Sequence, residues 1–215
     1  MKKIYLGCDQ EGKRVELDFE QEKIKFILLA GISASGKSIF HKNLYKQLST
    51  EYSFDEIGFI FLDMTMADFS DWQSEYLIEP VITNPQEALD VLDESAEWED
   101  NQKIFIHIEE CDMVYADRKR LEKALSKIKN LKNVYVVYST SRIDQKYLAD
   151  WMKEFIDLKV IFSVASEADS KFLIGNNTAS RFKKKGERIL VFNDQEISCQ
   201  PFSDKETKAL MDFKL

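Results

Sequence analysis

Proline, glycine and cysteine are all scarce in this chain: 3, 7 and 3 of its 215 residues, beside only 2 histidines. So few chain-breaking residues leave little room for irregular stretches, and short connections between regular elements are expected. No Pro/Gly/Ser-rich linker, low-complexity tract or internal repeat interrupts it. Cys8, Cys111 and Cys199 stand far apart in sequence with no C-x-x-C among them. That spacing argues against a disulfide framework and against a zinc site, and they read as small buried side chains in a reducing, cytoplasmic setting. His41 and His107 are too few to form a metal cluster by themselves and read as structural. No apolar run approaches the ~20 residues that span a bilayer, and the N-terminus lacks the apolar core of a signal peptide, so no integral membrane segment is expected. Positive charge is also in deficit. A net charge of −8 and a pI near 5.0 argue against a chain that coats itself in nucleic acid, yet leave room for contact through a few basic loops.

What is present is a globular balance, 44% hydrophobic and 32% charged, at a length that suits one domain with a substantial core. The expected organisation is a single domain over 1–215, an N-terminal hairpin (1–23) ahead of a core (24–215). Alternating apolar and polar residues predict strands at 3–6 and 13–19, either side of a turn at 9–12. Buried strands are expected at 25–30, 57–62, 103–108, 134–138 and 160–164. Helical periods fall at 85–96, 118–132, 145–156 and 167–174. Asn84-Pro85-Gln86-Glu87 reads as a helix start, with Asn as cap and Pro at the first helical position. Residues 188–192 and 196–199 predict a C-terminal hairpin, and Ser203 with Glu206 a capping box that opens the last helix. Strands alternating with helices imply an α/β fold: a mostly parallel sheet with helices on both faces, and a small β-hairpin at each terminus.

The chemistry starts at the strand 25–30. It breaks at Gly31 into Gly31-Ile32-Ser33-Ala34-Ser35-Gly36-Lys37-Ser38, the pattern G-x-x-x-x-G-K-S, and a helix opens at Ile39. Backbone N–H groups of such a loop turn inward around a di- or triphosphate, and the helix aims its positive end at the same place. Lys37 can reach the β/γ oxygens and the Ser38 hydroxyl can ligate Mg²⁺. Residues 31–39 are therefore the expected ATP-binding segment. A second motif is the apolar strand 104–108 ending in Glu109-Glu110, the shape of a Walker B element. The first acid is expected to hold Mg²⁺ and the second to polarise the attacking water. Both are Glu here, where Asp then Glu is usual. A third, weaker signal is Ser139-Thr140-Ser141-Arg142 at the end of the adjacent strand, where a polar side chain can sense the γ-phosphate.

Taken in order, these tracts resemble the motor core of FtsK/SpoIIIE-type DNA translocases, in the FtsK–HerA group of P-loop ATPases. Gly7-Cys8-Asp9-Gln10-Glu11-Gly12 resembles that family's G-x-D-x-x-G opening, and Phe26-Leu29 before Ala30-Gly31 its H-L-L-V-A-G. Leu62-Asp63-Met64 falls where the family has I-D-P-K, and Pro80-Pro85 with Ala88 looks like P-V-V-T-D-P-x-x-A. Ser139-Arg142 is similar to A-T-Q-R, and Phe162-Ser166 with Asp169-Lys171 to F-x-V-x-S-x-x-D-S-R. The resemblance implies a P-loop NTPase (RecA-like) fold that hydrolyses ATP with Mg²⁺, assembles as a homo-oligomeric, usually hexameric, ring and grips double-stranded DNA in its pore. It implies Lys37, Glu109 and Glu110 as catalytic residues, with Arg142 the best candidate for an arginine finger. The chain departs from the family at Thr65, which replaces Lys, at Ser141, which replaces Gln, and at Lys159, where Arg is expected. Type VII secretion ATPases are similar in the same motifs, so a protein-moving motor stays open, as does a binding-only module. The basic cluster Arg181, Lys183, Lys184, Lys185 and Arg188 is read either as a solvated loop or, at Lys183, Lys184 and Lys185, as a contact to duplex phosphates.

Overall fold

A computed structural model describes residues 2–110, 117–143, 148 and 154–215 of the chain. Cys111 and most of the helix expected over 145–156 lie outside the described residues. The elements run β1 (Ile4–Cys8), β2 (Arg14–Leu17), β3 (Phe26–Ala30), α1 (Lys37–Glu51), β4 (Ile57–Asp63), α2 (Pro85–Ser95), β5 (Lys103–Glu109), α3 (Arg118–Ile128), β6 (Val134–Thr140), β7 (Leu158–Ile161), α4 (Glu167–Ile174), β8 (Arg188–Phe192), β9 (Gln195–Cys199) and α5 (Asp204–Met211).

Among the described residues, seven strands form one sheet in the order β4-β5-β6-β3-β7-β8-β9, and β1 and β2 make a separate two-stranded hairpin. The first five strands are parallel; β8 and β9 continue the edge antiparallel. Every residue of β3, β4 and β6 is buried, as expected for strands covered on both faces. Alternate side chains feed two cores. Phe26, Leu28, Ile104, Ile106 and Ile108 join α2, α3 and α4 on one face. Ile27, Leu29, Phe59, Phe61 and Phe105 join α1, α5 and the β1–β2 hairpin on the other.

The helix starts follow the local chemistry. The Asn84 side chain accepts from the backbone N–H groups of Gln86 and Glu87, with Pro85 opening α2, and Ser203 and Glu206 close a reciprocal capping box at α5. Several boundaries differ from the sequence pattern, with the largest shifts at β7 and α3. The expected strand 160–164 lies at Leu158–Ile161, because its register is fixed by pairing Leu158 with Ile27 and Ile161 with Ala30. The helix expected to reach Lys132 stops at Ile128, the last of its buried positions Leu121, Ala124, Leu125 and Ile128. Among the described residues no helix is long and apolar enough to cross a membrane.

Candidate nucleotide site

The phosphate loop connects β3 to α1 at the carboxyl end of the parallel strands, where open α/β sheets bind ligands. Its two glycines serve different needs. Gly36 has φ 118° and stands directly before α1; a Cβ there would come within 2.9 Å of Gly186 Cα. Gly31 does not need left-handed freedom. It is required by space, since a Cβ would lie 2.7 Å from Phe162 Cβ and 2.8 Å from Ser35 Oγ. The third turn residue is Ala34, at φ 61°.

Lys37 opens α1 and folds back into the loop, donating to Gly31 O at 2.8 Å and Ile32 O at 3.3 Å. Burial pushes its ammonium below the usual lysine range, an effect opposed by Glu109, Glu110 and Asp68. A buried cation resting on carbonyl oxygens, with acids near by, is the electrostatic counterpart of a metal-bound polyphosphate.

The acids reach this place by strand period. Asp63, Glu109 and Ser139 are in register at the ends of β4, β5 and β6. They stand two residues after Phe61, His107 and Val137, which are level with one another; Phe61 and Val137 belong to the core on the α1 side. All three therefore face α1. Glu109 is 4% exposed, and its Oε2 pairs with His107 Nε2 at 2.9 Å. Glu110, just past the strand, takes φ 47°. Its carboxylate accepts from the Ser141 N–H at 3.0–3.1 Å and from Thr140 Oγ1 at 3.4 Å. The Ser139–Arg142 tract therefore touches the second acid directly. Arg142 is exposed beyond β6, and its N–H donates to Thr140 Oγ1.

Sequence reasoning missed Asp68. The Ser38 hydroxyl donates to Asp68 Oδ2 at 3.2 Å, so an acid from the loop after β4 stands beside the serine expected to hold metal. Burial and the charge of Glu109 raise the Asp68 pKa. The loop is folded by Asp63, whose carboxylate accepts from Thr65 Oγ1 and from the N–H groups of Thr65, Asp68 and Phe69 at 2.7–3.1 Å. Burial would raise the Asp63 pKa, but these hydrogen bonds outweigh it and the net shift is downward. The signal for Asp63 in the sequence is the acid at the end of a buried strand; nothing marks Asp68. Ser38, Asp68 and Glu109 together offer a hydroxyl and carboxylates, the hard oxygen donors that suit Mg²⁺.

The basic cluster divides. Lys183, Lys184 and Lys185 are exposed, and the loop carrying them is folded by Glu187, which accepts from the Lys183 and Lys184 N–H groups. The loop docks on the phosphate loop, Gly186 N–H donating to Ser35 O at 2.8 Å. Arg188 does not belong with these lysines. It is fully buried, donating to the carbonyls of Leu6, Gly186 and Gln200 and stacking 4.3 Å over Phe202, so it ties the N-terminal hairpin to the C-terminal strands. Lys159 likewise serves the fold, donating to Leu173 O at 2.9 Å. Between the basic loop and α5 lies a cleft of about 250 Å³, lined by Gly36, Ile39, Lys185, Pro201, Phe202 and Thr207 among others.

Comparison with known proteins places the chain in a family and matches its fold. The sequence profile of the FtsK/SpoIIIE family matches residues 2–183. A DNA translocase FtsK of Leptospira interrogans is 25% identical over 221 residues, covering 86% of this chain and 23% of that protein. The chain thus spans about a quarter of that relative's length. Among solved structures, the cytoplasmic domain of the type VII secretion ATPase EccC of Thermomonospora curvata superposes with a TM-score of 0.72 at 14% identity, over 99% of this chain and 31% of that one. The pCW3 conjugation coupling protein TcpA, in monomer form with ATPγS, gives 0.73 at 17%, over 98% and 70%. These likenesses establish the fold, that of P-loop ATPases.

Proposed function

Because the chain belongs to the FtsK/SpoIIIE family, we propose that it is the ATP-hydrolysing motor core of a ring-forming translocase acting on double-stranded DNA. The observation that carries the reading is the convergence of Lys37, Ser38, Asp68, Glu109 and Glu110 at one end of the parallel strands. Residues 31–39 bind the triphosphate, the loop N–H groups and the Lys37 ammonium meeting its oxygens. Ser38 and Glu109, joined by Asp68, would hold Mg²⁺, which would supply positive charge to offset the negative charge of the phosphates. Glu110, held by Ser141 and Thr140, orients a water for in-line attack on the γ-phosphorus. The bond to the β-phosphate oxygen breaks, and ADP and inorganic phosphate leave. The cleft beside Ile39 and Phe202 suits a flat base, with an apolar floor next to the phosphates. Arg142, exposed at the same end of the sheet, is suited to reach a neighbouring copy's nucleotide in a ring.

Duplex DNA is favoured as the track by the relatives' name, DNA translocase, and by the three exposed lysines of the 183–185 loop. Contact there would be with phosphates, insensitive to sequence and steeply dependent on salt. Phosphate release with and without linear duplex DNA, for the natural chain and the Lys183/Lys184/Lys185→Ala variant, tests this. The expected result is hydrolysis stimulated by duplex, with the stimulation reduced in the triple variant and lost at high salt. Hydrolysis indifferent to DNA at low salt would point to a protein-moving motor instead. No release under any condition would leave a binding-only module.

A further inference from the structure

His41, His107 and Glu109 meet beneath the phosphate loop, on the α1 face of the sheet. One ligand atom from each lies within 4.8 Å of the other two, and the three residues are 0%, 0% and 4% exposed. His107 is fixed on both sides, its Nδ1 at 2.8 Å from the Tyr45 hydroxyl and its Nε2 at 2.9 Å from Glu109 Oε2. His41 is not. Neither of its ring nitrogens meets a hydrogen-bond partner among the described residues, although the ring packs 4.6 Å from Phe69 and edge-on to His107 at 5.2 Å between centroids. Leaving an imidazole buried with both nitrogens unmet is costly.

We propose that His41, His107 and Glu109 form a binding site for a divalent transition-metal ion, with Zn²⁺ as its best-matched occupant, adjacent to the Mg²⁺ site at the nucleotide and sharing with it the Glu109 carboxylate, one oxygen of which faces the histidines. Two imidazoles and one carboxylate are a borderline donor set that suits Zn²⁺ or Co²⁺. Mg²⁺, which demands oxygen ligands, is disfavoured there. Bound at about 2.0–2.2 Å, the donors would draw together by side-chain rotation, and the ion would replace the His107–Glu109 hydrogen bond as their link. Tyr45 then takes the role of an outer partner, accepting from His107 Nδ1–H and fixing the tautomer that presents Nε2 to the metal.

The consequence is mechanical. His41 lies one helical turn after Lys37 on α1, and Glu109 ends β5 just before Glu110. An ion shared by them clips helix α1 to the end of β5, directly ahead of Glu110. The inference stands on this geometry alone and does not depend on hydrolysis of ATP.

The test is metal binding by the full chain, stripped with chelator and titrated with Co²⁺ and then Zn²⁺, without nucleotide and with excess Mg²⁺ present. The expected result is one equivalent of Co²⁺ with a visible absorption band, displaced by Zn²⁺ and accompanied by a rise in Tm. Affinity falls about tenfold or more in His41→Phe and in His107→Gln, and persists in Ser38→Ala. X-ray absorption of the Zn²⁺-loaded natural chain should show a nitrogen/oxygen shell with imidazole scattering, a readout that stands even if a histidine variant does not fold. No saturable Co²⁺ or Zn²⁺ binding by the natural chain would overturn the proposal. So would a sulfur shell, or binding abolished by Ser38→Ala or by Mg²⁺.

Discussion

Among the residues of the site, Asp63 shows how much of the arrangement depends on a carboxylate whose hydrogen bonds are all made to the protein's own loop. Its carboxylate satisfies four donors in the Thr65–Phe69 loop, and that loop carries Asp68 to Ser38. An asparagine side chain in its place would keep one acceptor oxygen but turn an NH₂ toward backbone N–H groups, leaving buried donors unmet. Asp63→Asn should therefore destabilise the chain by about 1–3 kcal/mol, measured by urea unfolding at neutral pH. The pH dependence follows from the lowered pKa. A carboxylate more acidic in the folded than in the unfolded state contributes stability that is full above the unfolded value, 3.8. That contribution is lost as pH falls through the folded value. The gap between the natural chain and the variant should accordingly narrow in strong acid. An equal gap at neutral and acid pH would remove Asp63 from this role. Residue identity was legible where chemistry is contiguous: Lys37 and Ser38 follow from the motif itself, and Glu109 and Glu110 from a strand end. Asp68 and Arg188 were not, because one reaches Ser38 only through the turn that Asp63 folds after β4 and the other spends its charge on carbonyls supplied by both ends of the chain.

At the level of elements, the phosphate loop and the 182–187 loop form one unit. Gly186 N–H binds Ser35 O, and Gly36 has no room for a side chain against Gly186. An alanine methyl at this position would meet both a positive φ, costing about 1–3 kcal/mol, and the Gly186 backbone. Gly36→Ala should weaken ATP binding strongly while the far-UV circular dichroism of the sheet and helices is retained. Binding at the natural affinity would mean the loop opens independently of its neighbour. Strand and helix identities were readable from apolar period and caps, as at Asn84 and Ser203. The boundaries of β7 and α3 were not, since they depend on pairing register and on where the core ends, both set by distant residues. The docking of a basic loop on the phosphate loop left no trace in sequence, because the contact is backbone to backbone.

On the scale of the whole molecule, the five parallel strands bring Asp63, Glu109 and Ser139 level along one face and set α1 opposite them. This turns motifs scattered along the chain into one site. The fold class was legible from alternation alone, and the family from the order of its motifs. The joining of the two terminal hairpins through Arg188 was not, for it is a contact between the ends of the chain. As proposed, the site binds ATP through Lys37 and cleaves it through Glu110. Isothermal titration with ATP and Mg²⁺, paired with phosphate release, on Lys37→Ala and Glu110→Gln tests this most directly. Glu110→Gln is expected to bind ATP like the natural chain while hydrolysis falls about 10²–10⁴-fold, and Lys37→Ala to lose hydrolysis and most of its affinity. Unchanged ATP affinity in Lys37→Ala, or undiminished hydrolysis in Glu110→Gln, would take these roles away from the two residues.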